Sequence, residues 1–307
     1  MSVLSKRYFH SADAARRELE SILWADGPTC PHCGAADRIY DLKKTRPGLK
    51  KCGHCRKQFT VTVGTVFESS HIKLNLWFQC VYLMCASKKG ISAHQLHRTL
   101  EVTYKTAWFM AHRIREAMRD DEQPPLGGKD KAVEVDETFW GGKRTDDDYK
   151  FVSGRGWVGK SGPRHKWKVL SLVERGGRVR SIVVNDLTAR TVRFHMVTNI
   201  DRRSHIMTDE ASFYKLVGRE FAGHGRVNHS KGEYRRGDAS TNTIEGFFSI
   251  FKRGMKGIYQ HCGEQHLQRY LAEFDFRYNG RKVSDAERTQ IAIRGIVGKR
   301  LTYQQPC

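Results

Sequence analysis

The sequence predicts a multi-domain chain: a small cysteine-stapled β module, an all-α region, and a mixed α/β domain filling the second half. Two Cys-x2-Cys pairs close together near the start, Cys30/Cys33 and Cys52/Cys55, mark the first part. Helical spacing without strand alternation runs from 69 to 122 and marks the second. Beyond Pro124-Pro125 and Gly127-Gly128, two-residue alternation and helical spacing take turns, which marks the third. At 307 residues the length suits two or three domains, and 39% apolar with 10% aromatic residues excludes disorder over most of the chain.

Lys and Arg number 54 against 33 Asp and Glu, a formal charge of +21. Such an excess points to a polyanionic partner, because each phosphate neutralised releases counterions and adds sequence-independent affinity. No run approaches the ~18 apolar residues of a membrane span, and Met1 to His10 lacks an apolar signal core. A cytoplasmic, nucleoid-associated protein with no membrane partner is therefore expected.

The first part, 1–68, opens with an amphipathic helix from Ser11 to Trp24, with Leu19, Ile22 and Leu23 on one side. The two cysteine pairs follow, with 18 residues between them. Each pair can form a tight knuckle supplying two thiolates to one tetrahedral ion, so Cys30, Cys33, Cys52 and Cys55 are the expected ligands of one structural zinc. With short strands around Arg38-Ile39-Tyr40 and Gly48-Leu49-Lys50 this is a zinc ribbon. His32 and His54 are left out, since four thiolates fill the site. Cys80, Cys85, Cys262 and Cys307 lack ligand spacing. Eight basic residues against three acidic ones between Pro28 and Glu68 suit the module to phosphate.

In the second part, 69–122, Leu74 to Ala86 is apolar almost all round and reads as a buried helix. Ser92-Ala93-His94-Gln95 fits a capping box, with Leu96 and Leu100 facing inward. After a break at Glu101-Val102, Thr103 caps a second helix from Tyr104 to Met118 carrying Lys105, Arg113 and Arg115. Helix, short turn and basic second helix form a helix-turn-helix pattern, which also fits an ordinary helical pair; Lys105 and Arg113 are the candidate DNA contacts.

Residues 123–131 read as a linker, 132–285 as the α/β domain and 286–307 as a tail. In the domain, Ala132 to Trp140 is a strand, and Trp167–Val173 and Arg178–Val184 form a hairpin through Glu174-Arg175-Gly176-Gly177. Thr191–Ile200 is helical, His205–Thr208 a strand, Ala211–Val217 a helix and Arg226-Val227-Asn228 a brief strand. Asn242–Met255 and His266–Tyr278 are strong helices. The segment from Trp140 to Lys168, rich in glycine and in Lys143, Arg144, Lys150, Arg155, Lys160, Arg164, Lys166 and Lys168, suits either a DNA-facing insertion or a solvated loop.

Three acids of this domain stand out. In Val133-Glu134-Val135-Asp136 the valines face one way and the acids the other. Asp209 ends an apolar strand, at the edge where ligands collect in α/β sheets. Glu245 lies in a helix whose core stripe is Ile244, Phe248, Phe251 and Met255, and whose polar stripe is Asn242, Glu245, Ser249, Lys252 and Lys256. Singly, each acid also fits an ordinary role as strand acid, helix cap or surface partner. Together, strand-acid, meander, helix, strand-acid and helix-acid is the order in which an RNase H-like domain assembles metal-binding carboxylates. Such a site holds two divalent ions ~3.5–4 Å apart for in-line phosphoryl transfer, and oxygen ligands of this kind suit Mg²⁺.

The chain resembles bacterial insertion-sequence transposases with an N-terminal zinc ribbon and a DDE catalytic domain. The resemblance spans nearly the whole length. Its carriers are the four-cysteine ribbon, Val135-Asp136-Glu137-Thr138 with Gly141-Gly142-Lys143, Thr208-Asp209, Asn242-Thr243-Ile244-Glu245-Gly246-Phe247-Phe248 with Lys252-Arg253-Gly254, His266-Leu267-Gln268-Arg269-Tyr270 and Phe276-Arg277-Tyr278-Asn279. The 35 residues between Asp209 and Glu245, and Lys252 seven residues later, fit the same pattern. The resemblance implies a DNA transposase in which Asp136, Asp209 and Glu245 hold Mg²⁺ or Mn²⁺, two ions in all. Lys252 would contact DNA. Some relatives use Asn as the third ligand, and Asn242 lies one turn before Glu245; a carboxylate binds Mg²⁺ better, so Asn242 and Lys252 are supporting residues. Implied partners are double-stranded transposon ends and target DNA, with a homo-oligomer assembled on them. A DNA-binding regulator or domesticated transposase without recombination, and an RNase H-like nuclease without strand transfer, are the alternatives.

Overall fold

A computed structural model describes residues 2–120, 122–142, 149–159, 165–227, 235–236 and 239–302. The chain forms two compact units, Met1–Asp120 with Gly280–Cys307 and Asp121–Asn279.

In the first unit, α1 (Ala12–Leu23) starts at Ser11, whose hydroxyl accepts from the Ala14 N–H and satisfies one open donor of the first turn. Strands β1 (Ile39–Asp41), β2 (Lys50–Cys52) and β3 (Gln58–Phe59) form a small antiparallel sheet in that order. The first two lie one to two residues later than their spacing suggested, and β2 ends on Cys52 itself. Helix α2 (Leu74–Ala86) buries Trp77, Phe78, Cys80, Val81, Met84 and Cys85, as an all-round apolar helix must. Helices α3 (Ala93–Leu100) and α4 (Tyr104–Met118) are joined by a tight turn in which Glu101 takes the left-handed conformation at φ 53°. The Ser92 and Thr103 hydroxyls accept from the Gln95 and Thr106 N–H groups and cap the two helices.

The second unit is built on a mixed five-stranded sheet. Strand β4 (Ala132–Trp140) lies at its centre; β5 (Tyr149–Val152) and β6 (Gly156–Gly159) form a separate hairpin; β7 (Trp167–Glu174) and β8 (Val179–Val184) complete an antiparallel meander with β4. After α5 (Ala189–Asn199), β9 (His205–Thr208) returns parallel to β4. Following α6 (Tyr214–Val217), β10 (Gly223–Arg226) adds in parallel outside β9. The order is β10-β9-β4-β7-β8. A short ribbon, β11 (Arg235–Arg236) with β12 (Ala239–Ser240), leads into α7 (Asn242–Gly254) and α8 (Glu264–Asn279).

Helices cover both faces of the sheet. Val133 and Val135 of β4 with Leu170 and Leu172 of β7 pack under Val192 and Met196 of α5 and Tyr214 of α6. Val169 and Val173 of β7 pack on the other side under Ile244, Phe248 and Phe251 of α7 and Leu267, Leu271 and Phe274 of α8. The predicted core stripe of α7 is therefore buried, with Phe247 added to it. Its polar positions Asn242, Glu245, Ser249 and Lys252 are exposed. Gly141 and Gly142, at φ 58° and 83°, turn the chain out of β4; a Cβ on Gly142 would stand 1.7 Å from the His165 carbonyl oxygen, so only glycine fits.

Two expectations about the organisation differ from what is observed. Residues 123–131, read as a linker, are docked on the second unit: Leu126 is fully buried, its N–H donates to the Asn199 carbonyl, and Gly127 N–H donates to Glu174 Oε2. An apolar residue between the prolines and glycines had somewhere to go. Residues 286–307, read as a tail, include most of α9 (Asp285–Arg294), which belongs with the first unit and packs on α2. The segment from Trp140 to Lys168 contains the β5–β6 hairpin, which its alternation did not announce. Of its cations, Lys143, Arg144, Lys160 and Arg164 lie outside the described residues, as does Asn228 of the brief strand expected near β10.

Candidate active site

The four cysteines of the ribbon converge, with their sulfurs all within 4.8 Å of one another. Cys30 and Cys55 Sγ are 3.6 Å apart and Cys33 and Cys52 Sγ 3.7 Å. Those separations are far beyond a disulfide's ~2.05 Å. They match the ~3.8 Å edges of a thiolate tetrahedron with metal–sulfur bonds of ~2.3 Å, so the donor set fits zinc. The backbone N–H of Cys55, with that of His54, holds the Cys52 thiol down to about 7, whereas, against the Ala35 N–H, burial and the three neighbouring sulfurs push Cys33 up to about 11, so the full thiolate set needs a cation at its centre. His54 stands apart, its Nε2 2.9 Å from Asp37 Oδ1.

In the second unit, the β4–β9 register pairs Ala132 with His205, Val133 with Ile206 and Glu134 with Met207. Continued two residues, that register sets Asp136 beside Asp209. Carboxylate oxygens of Asp136, Glu137 and Asp209 all lie within 4.8 Å of one another. All three residues are half-buried. The Glu137 N–H donates to Asp136 Oδ1 at 2.8 Å, and the Ala211 N–H donates to Asp209 Oδ1 at 3.0 Å, so Asp209 both caps the following turn and joins the cluster.

Glu137 joins the trio although the alternation along β4 does not single it out. It shares the parity of Val133 and Val135, the face expected to be apolar, and the fully buried Tyr214 donates its hydroxyl to Glu137 Oε2 at 2.8 Å. An acid at an apolar parity, directly after a candidate ligand, was the available signal. Burial first, then the charges of Glu137, Asp209 and Glu245, push the Asp136 carboxyl up to about 8. Burial likewise raises Glu137, with Asp209 adding to it, and keeps the Tyr214 phenol well above its ordinary range. Acids crowded in this way ionise together only beside a cation, and an all-oxygen donor set fits a hard divalent ion.

Glu245, the expected third ligand, is exposed in the first turn of α7 and accepts from Thr241 Oγ1 at 2.9 Å. It lies outside the close trio, yet its charge is among those felt by Asp136. Asn242 is exposed in the same turn. What fixes this turn is Glu134, fully buried two residues before Asp136 on the same face of β4. Its carboxylate accepts from the Ile244 N–H and Thr243 Oγ1, both at 2.9 Å, and from Arg175 Nε at 2.7 Å. Arg175 also donates to the Ser240 carbonyl and hydroxyl, tying down the segment before the helix. Glu134 thus belongs to the scaffold that sets α7 against the strand carrying Asp136.

The cations separate. Lys105, at the start of α4, and Lys252 on α7 are exposed. Arg113, expected at the DNA, is instead buried at 6% exposure, and its guanidinium donates to the carbonyls of Leu301 and Glu68 and lies over the Phe109 ring. A side chain committed to backbone carbonyls inside its own unit cannot reach a phosphate. Arg115 is buried too.

Residues 125–279 match the ISXO2-like transposase domain, and residues 10–58 match the transposase zinc-ribbon domain. The chain is also similar to a Halobacterium salinarum protein described as an uncharacterized protein in transposable element ISH50. The two are 28% identical over 279 residues, covering 88% of this chain and 91% of the relative. Among the described residues no helix is long and apolar enough to cross a membrane.

Proposed function

The chain belongs to the ISXO2-like transposase family, and from that premise we propose that it binds the ends of an insertion sequence and catalyses metal-dependent DNA cleavage and strand transfer. The observation that carries this reading is the convergence of Asp136, Glu137 and Asp209, with Glu245 close enough to bear on Asp136. The chain order of β4, meander, α5, β9 and α7, with an acid on the first strand, the returning strand and the helix, supports an RNase H-like domain.

Asp136, Asp209 and Glu245 are the proposed ligands of Mg²⁺ or Mn²⁺, two ions in all, with Glu137 beside them. The bound ions would activate the attacking oxygen and stabilise the leaving oxygen of an in-line phosphoryl transfer. The chain's own part is to hold these carboxylates rigid. The Glu137 and Ala211 N–H groups orient Asp136 and Asp209, Tyr214 orients Glu137, and Glu134 with Arg175 anchors the turn bearing Glu245 and Asn242. Lys252, exposed two turns along α7, is the proposed contact to a DNA phosphate near the scissile bond. In the first unit the ribbon holds one structural zinc ion, and α3 and α4 act as a helix-turn-helix with Lys105 facing double-stranded DNA. The active form is a homo-oligomer assembled on that DNA.

The test is cleavage and joining of linear DNA carrying the element's inverted repeat. Asp136→Asn, Asp209→Asn and Glu245→Gln should each lower Mg²⁺-dependent cleavage by more than about 100-fold, beyond the usual cost of losing a ligand's supporting group. Binding of the ends should persist, since removing an acid does not weaken attraction to phosphate. Asn242→Ala should be mild. An active Glu245→Gln beside a dead Asn242→Ala would move the third position to Asn242, and cleavage without joining would favour a nuclease.

A further inference from the structure

Within the described hairpin, Phe151 of β5 and Trp157 of β6 stand directly opposite each other in the antiparallel register, so both side chains leave the same face. Their rings meet edge to face, with centroids 5.9 Å apart at 74°. Both are largely open to water, at 66% and 72% exposure. Single exposed apolar residues are ordinary, but two large aromatics paired on one face of a small ribbon form a patch that calls for a partner.

The partner's chemistry follows from the surroundings. The hairpin, 149–159, carries Lys150 and Arg155 and no acid, and across 141–166 seven Lys and Arg stand against three Asp. A second copy docked symmetrically would bring the same cations face to face. A polyanion is attracted instead. In duplex DNA the base faces are hidden by stacking, and groove edges are read by polar groups; an aromatic ring meets the face of an unpaired base freely, whereas a paired step must first be pried open at a cost of a few kcal/mol. The placement agrees, because the excursion leaves the sheet at the last β4–β7 pair, Trp140 with Trp167. That point is four residues past Asp136, roughly 13 Å along the strand. We infer that the Phe151–Trp157 face of the hairpin is a stacking platform for unpaired bases of the DNA strand beside the bond being cut. The inference rests on the transposase reading and adds to it a preference for unpaired DNA.

The full-length protein should be titrated by fluorescence anisotropy against two probes: a blunt duplex, and the same duplex carrying a single-stranded thymidine tail. The wild type should bind the tailed duplex more tightly. Phe151→Ala and Trp157→Ala should weaken tailed-duplex binding by about 5- to 150-fold, the range for losing one base–aromatic stack. Blunt-duplex binding should stay within about twofold, as for other exposed positions. Trp157→Phe should keep most of the preference, which separates stacking from loss of fold. Equal weakening on both probes, no weakening on either, or a change in sedimentation without a change in tail preference would overturn the platform. A wild type that bound neither probe would sink the transposase reading itself, whereas normal blunt-duplex binding with no tail preference would sink only this inference.

Discussion

Two inward-facing acids of the second unit solve the same problem differently. Glu134 is balanced by Arg175 and by donors from the start of α7. Asp275, on α8, accepts from the Ser181 N–H and hydroxyl, but burial outweighs these bonds and the nearby Arg180 and pushes its carboxyl up to about 7. Between its ordinary pKa of 3.8 and about 7 the folded state therefore keeps a proton that the unfolded state releases. Stability consequently falls as pH rises through that window and levels off above it. Asn mimics the protonated acid, with an oxygen for the Ser181 N–H and a donor for its hydroxyl. Asp275→Asn should raise stability at pH 8 by on the order of 1–2 kcal/mol after solvent screening, with the gain falling to roughly two-fifths of that at pH 5 and vanishing only near the unfolded pKa. Thermal melts of the two proteins at both pH values check this, and because Asp136 titrates in both, the difference isolates Asp275. An equal gain at both values would refute it. At this scale the sequence was legible in placement, since spacing alone announces that the four cysteines converge and that Asp136 and Asp209 lie side by side. It misled at Arg113, whose acceptor Leu301 lies 188 residues away and leaves no trace beside it.

Elements defined by one long periodic pattern could be read almost to the residue: α2 spans Leu74–Ala86 and β4 spans Ala132–Trp140 as their apolar spacing requires. Elements defined by tertiary pairing could not. The β5–β6 hairpin has little core of its own, and the helix expected over Ala211–Val217 shrinks to Tyr214–Val217 because Asp209 and Ala211 first form a turn. The ribbon is the extreme case, since its buried cluster is Cys30, Cys52 and Phe59, with Trp24 and a few half-buried residues against it. So small a core is insufficient without a staple, and metal binding there is folding. Purified protein should contain one zinc per chain. Cys52→Ser should lose most of it, and chelation should make the segment from Gly27 to Glu68 sensitive to protease while β4 to α8 stay resistant. Full zinc retention in the double variant Cys30→Ser with Cys52→Ser would reject the assignment.

The whole chain is organised by a return that no local pattern announces. After completing the second unit at Asn279 it re-enters the first, where α9 packs on α2 and Arg288 donates to the Cys85 carbonyl at 2.9 Å. Further along, Val66 N–H donates to the Ile296 carbonyl, Gly298 N–H to that of Gly64, and Arg113 to that of Leu301. A helix partner more than 160 positions away in the sequence is invisible to periodicity, which is why 286–307 reads as a tail. Cutting the chain after Asn279 removes buried Ala292, Ile293, Ile296 and Leu301 and strips Arg113 of one acceptor. Each large apolar side chain is worth about 1.5–3 kcal/mol and the orphaned donor about 1–3 kcal/mol more, together comparable with the whole stability of a small domain. A protein ending at Asn279 should therefore lose the folded first unit, and with it binding to blunt duplex DNA, while the second unit melts normally. Residues 1–120 alone should be unfolded, whereas 1–120 joined through a flexible linker to 280–307 should fold and bind duplex DNA. Circular dichroism melts and anisotropy on the three proteins decide the matter: a folded, DNA-binding 1–120 fragment would show that the returning segment is dispensable.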